Sequence, residues 1–225
     1  MDCVNAQNPA EAWLSACSLL ASKGKKVGNN VELDNLIVLI NKPLMDNLKI
    51  SQVYLQTVGQ EYFDRVNQLM FSTKPLKWKT SYRSRLVAWN NEFDQLNEVI
   101  SIMQKKPGSK TLTCIVNNPP KDLRRVHTIA ASMPCLTAID FRIRNNLLSM
   151  TAYFRSQDVF RIGYPDYINM GKFLKETHAH ILSEGTFAKE KSVGLGEITF
   201  HIVSAFIRQK DMKVVKEIIN LKLSS

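Results

Sequence analysis

The stretch MPCLTAIDFRIRNNLLSMTAYFRSQDVFRIGYPDY, residues 133–167, decides how this chain is read. Two apolar-rich runs, 136–143 and 147–154, flank a short turn at Asn145-Asn146, a pattern that predicts a β-hairpin. Met133-Pro134-Cys135 leads into its first strand, and Arg155, Ser156 and Asp158 crowd the end of its second. Charges at a strand end are either solvated or gathered on an anionic ligand. A cysteine facing a strand-end arginine can be a nucleophile, because a nearby cation favours the thiolate. Spacing alone says little, since a lone cysteine is more often buried filler.

The flanks predict an α+β protein. Residues 9–22 show helical apolar spacing, with Asn8 as N-cap and Gly24 as stop. VELDNLIVLIN, 31–41, reads as a strand ending at Lys42-Pro43. Residues 60–71 and 91–105 read as helices, the second stopped by Pro107-Gly108, and TLTCIVN, 111–117, as a strand. Residues 166–182 and 211–221 read as helices around a long β-rich run, 193–207, whose glycines suggest a bulge. Strands and helices mix without strict βαβ alternation, so a mixed, mostly antiparallel sheet is expected. No linker or repeat divides the chain, and one domain over 1–225 is expected.

A composition of 44% hydrophobic and 22% charged residues is that of a globular protein. No apolar run is long enough for a membrane span, and the N-terminus lacks the pattern of a signal peptide, so no membrane partner is expected. Cys3, Cys17, Cys114 and Cys135 form no CxxC pair and stand at no zinc spacing. A reduced, cytoplasmic protein without a metal is the simplest expectation. The net charge of +10 favours anionic partners. Nucleic acid is not the expected one, because no recognised binding motif accompanies the charge.

The 133–167 stretch resembles the thymidylate synthase and pyrimidine nucleotide hydroxymethylase family. That family carries a Pro-Cys nucleophile, a β-hairpin, Arg-Ser-x-Asp-Val-Phe and a Gly-x-Pro segment. Pro134-Cys135, Arg155 to Phe160 and Gly163-Tyr164-Pro165 match in order. Upstream, Tyr82, Arg83 and Trp89 resemble a Tyr-Gly-x-x-Trp region, and GSKTLTCIV, 108–116, resembles a segment that lends phosphate-binding arginines to a partner subunit.

The resemblance implies a homodimer packed through its sheets and a pyrimidine nucleotide substrate. Cys135 would add to C6 of the pyrimidine and make C5 nucleophilic toward the one-carbon unit of methylenetetrahydrofolate or a related tetrahydropterin. Arg155 and Ser156 would hold the 5′-phosphate. Asp158 would meet polar edges of pyrimidine and pterin, and Tyr82 would order the proton network.

The chain departs from the family in several places. The asparagine that reads uracil falls, eleven residues beyond Arg155, on Asp166. An ionised carboxylate only accepts hydrogen bonds, so it suits the amino group of cytosine. If an extra residue lies before Pro165, Tyr167 takes that place and Asp166 caps the next helix. The sugar-reading His-x-Tyr is replaced by Phe206 and Arg208, and the partner-subunit arginines by Lys110 and Thr111. The family's acid–base glutamate has no clean match; Glu61 and Asp64 are the nearby carboxylates. The leading expectation is C5 hydroxymethylation of a cytidylate, CMP or dCMP. The alternatives are methylation of dUMP and a non-catalytic nucleotide- or RNA-binding relative.

Overall fold

The computed structural model describes residues 2–72, 81–126, 133–183 and 193–223, with the side chains of 124–126 and 221–223 left out. Its frame is one seven-stranded sheet. The strands are β1 (Asp2–Ala6), β2 (Lys25–Val27), β3 (Asn30–Ile40), β4 (Thr113–Ile115), β5 (Leu136–Arg144), β6 (Leu147–Asp158) and β7 (Gly194–Arg208). The order is β1-β3-β7-β6-β5-β4, with β2 pairing β3. Pairing is parallel at β1–β3 and β6–β7 and antiparallel elsewhere, so the sheet is mixed and mostly antiparallel as expected.

The helices are α1 (Pro9–Lys23), α2 (Leu48–Thr57), α3 (Gln60–Phe71), α4 (Tyr82–Val87), α5 (Gln95–Lys105), α6 (Pro119–Val126), α7 (Tyr164–Ser183) and α8 (Met212–Leu223). Alternating side chains of the long strands, Ile198, Phe200 and Ile202 on β7 and Leu148, Met150, Ala152 and Phe154 on β6, are buried. They meet the apolar faces of α1 and α7; Phe141 lies 6.1 Å from Phe173 and Phe200 4.6 Å from Tyr167 between ring centroids. Gly171 lies mid-helix in α7 because the Pro43 carbonyl packs where a Cβ would stand. The opposite face of β6 and β7 leaves Tyr153 and Val203 exposed. None of the helices is long and apolar enough to cross a membrane, among the described residues.

The hairpin turns at Asn145 (φ 51°) and Asn146 (φ 58°), both in the left-handed region that asparagine tolerates. Asn8 caps α1 by accepting from the Glu11 amide at 3.0 Å. Opposite the glycines of β7 the ladder slips between Leu148 and Met150, which is the anticipated bulge.

Some boundaries differ from expectation. Helix α5 starts at Gln95 rather than 91, because Asn90 and Asn91 take positive φ and Trp89 bridges back to Phe93. Its cap is Asp94, which accepts from the Asn97 amide at 2.9 Å. Helix α7 starts two residues early, at Tyr164. Strands β1 and β2 and helices α2, α4 and α6 lie outside the elements expected from the sequence.

Candidate active site

Strand β6 ends at Asp158, and Val159–Gly163 make a single π turn before α7. Such a turn absorbs one extra residue without breaking the helix that continues from it. Two of its carbonyls are bonded from outside: Trp13 Nε1 donates to Phe160 O at 3.0 Å and Tyr54 Oη donates to Arg161 O at 2.7 Å. The Arg161 side chain forks onto Asp211 with two bonds of 2.7 Å and donates to Tyr62 Oη at 2.8 Å. The turn is therefore clamped by α1, α2, α3 and the segment before α8.

A cavity of about 140 Å³ opens beside this turn. On one side it is walled by Arg155, Ser156, Gln157 and Asp158 of β6, Ile162 of the turn and Asp166 of α7. On the other stand Val66 and Leu69 of α3, Tyr82 and Arg85 of α4, and Met133, Pro134 and Cys135.

Cys135, half-buried, has its Sγ 3.7 Å from Ser156 Oγ, and its carbonyl accepts from the Arg155 amide at 2.9 Å. The Arg155 guanidinium donates to Met133 O (2.7 Å), Pro134 O (2.9 Å) and Ser156 Oγ (3.3 Å). Among the described residues no carboxylate pairs with it, and its residue is exposed at the cavity's mouth. Tyr82 turns its hydroxyl to the backbone amides of Leu136 and Cys135. Burial, then the nearby Cys135 and Asp166, raise its pKa well above the ordinary value.

Asp166 is 4% exposed and faces the cavity. Its Oδ2 accepts from Gln157 Nε2 at 2.9 Å, while Gln157 Oε1 accepts from Tyr167 Oη at 3.2 Å. Burial pushes its pKa up to about 7, against a partial opposing effect of the Gln157 hydrogen bond. Asp158, 3% exposed, accepts from the Arg161 amide at 3.2 Å and from Arg208 Nε at 3.0 Å, and burial raises its pKa as well.

The fold thus gathers Cys135, Tyr82, Asp158, Arg155, Ser156 and Asp166 around one cavity and leaves the other expected residues elsewhere. Tyr167 is fully buried behind Asp166, packed on Phe200, so Asp166 takes the inward position and is not a helix cap. Arg208 lies outside the cavity beside Asn29, Asn30 and Lys210, and touches it only through Asp158. Lys110 is exposed ahead of β4, away from this cavity. Phe206 pairs with Asp158 across the β6–β7 ladder. His201 packs on Tyr153 with ring centroids 6.0 Å apart, outside the cavity. Glu61 and Asp64 lie on exposed positions of α3, and the face of α3 that meets the cavity is apolar. Arg124 and Arg125, the basic residues that could substitute for the missing partner-subunit arginines, fall outside the described side chains.

Sequence reasoning passed over Gln157 and Arg85. Gln157 is the unassigned residue of Arg-Ser-x-Asp, and only its neighbours in space reveal its work. Arg85 is buried in the cavity wall and bonds Asp122 through both oxygens at 2.6 Å. Its presence three residues after Tyr82, one helical turn along, was the available signal.

An α+β sheet that presents a cysteine, a buried carboxylate and an arginine with no carboxylate partner among the described residues around one cavity has the make-up of an enzyme site. The thymidylate synthase family model matches residues 45–223, and the chain belongs to that family of one-carbon transferases. A Methanosarcina mazei protein named "Putative thymidylate synthase" is 27% identical, with 96% of this chain and 94% of the relative covered. One of the same name from Methanothermobacter thermautotrophicus is 25% identical, covering 93% and 95%. A Listeria monocytogenes protein named "Thymidylate synthase" is 24% identical over 84% of this chain and 53% of its own length.

Proposed function

We propose that the protein hydroxymethylates C5 of a cytidylate, CMP or dCMP, through attack of Cys135 on C6. The observation that carries this reading is the inward position of Asp166. A carboxyl group there can pair with the amino edge of cytosine, where an asparagine would suit uracil. The cavity of about 140 Å³ is well below the ~300 Å³ of a pocket that encloses a whole ligand, so it takes the base and leaves the phosphate at the mouth. There Arg155, which pairs with no carboxylate among the described residues, offers its charge with Ser156 to the 5′-phosphate.

Val66, Leu69 and Ile162 give an apolar wall for a flat heterocycle, with Asp158 at its polar edge. That donor set fits methylenetetrahydrofolate or a related tetrahydropterin, which supplies one carbon when bound. Tyr82 holds its hydroxyl beside Cys135 and orders protons there. Arg208 positions Asp158 from outside the cavity. The uncovered sheet face around Tyr153, His201 and Val203 suits a homodimer, in which Lys110 would serve the partner's site. Four free thiols suit a cytoplasmic setting.

A second reading, methylation of dUMP, is favoured by the names of the relatives. Incubation with methylenetetrahydrofolate and CMP, dCMP, UMP or dUMP, followed by mass spectrometry, separates the two. We expect a CH2O gain on a cytidylate, abolished in Cys135→Ala. A CH2 gain on dUMP would overturn the cytidylate assignment in favour of the second reading.

A further inference from the structure

The two walls of the cavity meet at a polar joint. Arg161 stands in the π turn, and its polar groups hold four separate pieces of the fold. Its amide donates to Asp158 at 3.2 Å, and its carbonyl accepts from Tyr54 of α2 at 2.7 Å. Its Nε and Nη2 fork onto Asp211, ahead of α8, at 2.7 Å each. Its Nη1 donates to Tyr62 Oη at 2.8 Å, with the guanidinium carbon 5.3 Å from the centre of the Tyr62 ring. Tyr62 precedes Val66 by four residues and Leu69 by seven, so the three share one face of α3. Among the described residues the Arg161–Tyr62 bond is the hydrogen bond that joins this face to the turn. Arg161 and Tyr62 do not line the cavity, whereas Ile162, Val66 and Leu69 do.

We propose that Arg161 and Tyr62 are a positioning pair: together they fix the width of the slot between the α3 wall and the π turn, and so set the affinity for the one-carbon carrier without touching it. The inference rests on the proposed one-carbon chemistry of this site. A flat heterocycle keeps its dispersion contacts on both faces only when the slot matches its thickness. A gap of about 0.5–1 Å forfeits roughly a quarter to a half of that attraction. The wall residues Val66 and Leu69 are apolar, so the slot takes its width from the joint at Tyr62. The fork on Asp211 holds the guanidinium in one plane, because both carboxylate oxygens are bonded at once. Nη1 is thereby aimed at Tyr62, and α3 is held against the turn.

The nucleotide end of the cavity is held by other means. Cys135 O accepts from the Arg155 amide at 2.9 Å, and Asp166 accepts from Gln157 at 2.9 Å. The Arg161 side chain bonds none of these groups. Asp158 keeps the Arg208 guanidinium at 3.0 Å and the Arg161 backbone amide, and both survive a change in the Arg161 side chain. The expected signature is a split between the two ligands, which a general loss of packing would not give.

Calorimetry tests the split. CMP or dCMP is titrated first, and tetrahydrofolate, which carries no carbon to transfer, is then titrated into the nucleotide complex. Tyr62→Phe removes one hydroxyl from a partly exposed side chain and keeps the helix. We expect its tetrahydrofolate affinity to fall by about tenfold, the worth of one hydrogen bond to a charged group, with nucleotide affinity within about twofold of the wild type. KM for methylenetetrahydrofolate should rise in step, while kcat stays within about threefold. Arg161→Lys keeps the charge but cannot bond Asp211 and Tyr62 together, so it should lose about as much. Adding Tyr62→Phe to Arg161→Lys should then cost less than about twofold more. A Tyr62→Phe variant that binds tetrahydrofolate like the wild type overturns the inference alone. So do equal losses for both ligands, or losses that multiply in the double variant. A wild type that binds no cytidylate, or binds one without then taking up tetrahydrofolate, overturns the proposed reaction and the inference with it.

Discussion

The two walls of the cavity are built in opposite ways. The β6–α7 wall comes from one continuous run, residues 155–166, and is dense in hydrogen bonds: Gln157 to Asp166, Arg161 to Asp158, Arg208 to Asp158. The facing wall comes from α3, α4 and the approach to β5, and apart from Arg85, the Tyr82 hydroxyl and the Cys135 thiol its lining is apolar. Contiguity lets the first wall set exact polar positions from local chain geometry. The second depends on tertiary packing, which fixes shape well and proton positions poorly. The cavity's carboxylates therefore concentrate in the first wall, and the second sets the Cys135 thiol and the Tyr82 hydroxyl in a mainly apolar surface.

The sharpest way to test that contrast on stability is pH. A carboxyl with an ordinary pKa of 3.8 that stands at about 7 in the fold binds its proton more tightly folded than unfolded. Between those values the folded state holds more protons, so stability falls as pH rises through the window. The contribution is present below pH 4 and lost by about pH 7, amounting to up to ~4 kcal/mol. Asp166→Asn should therefore match the wild type in urea denaturation near pH 4 and exceed it near pH 8. Equal stability at both values would mean that Asp166 is solvated and that water enters the first wall.

The facing wall has one strong electrostatic feature, and it should respond in the opposite sense. Arg85 and Asp122 are both buried and bonded at 2.6 Å through two contacts, with Asp122 Oδ2 also accepting from the Asn118 amide at 2.7 Å. Removing one partner strands the other charge, so Asp122→Ala should cost about 3–5 kcal/mol at neutral pH. The Arg83–Glu176 pair, as short at 2.6 Å but with Glu176 nearly half exposed, should cost less than about 1 kcal/mol when Glu176→Ala removes it. Thermal unfolding of both variants measures the gap. Similar losses would show that the Arg85 side of the cavity is open to water.

The same contrast explains what the sequence disclosed. The hairpin was readable because its alternation and its Asn145-Asn146 turn are local properties, and the cysteine, arginine and aspartate positions travelled with it as a motif. The inward turn of Asp166 was readable only as one of two options. The deciding feature is a π turn whose carbonyls are satisfied by Trp13 and Tyr54, residues more than a hundred positions away. Arg208 looked like a ligand group because it stands at the second sugar-reading position in sequence, yet the end of β7 carries it past the cavity to the back of Asp158. The apolar α3 wall left no trace, since Val66 and Leu69 look like ordinary core spacing.

The smallest expected effect lies just behind the first wall. Asn169 sits three residues beyond Asp166 on α7, almost fully buried, with neither amide atom hydrogen-bonded among the described residues. An unpaired buried amide ordinarily costs about 1–3 kcal/mol, so a leucine of similar shape should stabilise the protein by about 1 kcal/mol. Residues three apart on a helix share a face, so Asn169 is placed to communicate with Asp166. If Asn169→Leu gains stability and leaves nucleotide turnover unchanged, the polar wall ends at Asp166. If it gains stability while turnover falls severalfold, the wall extends a turn deeper, and the amide is kept at a cost in stability because it helps set the position of Asp166.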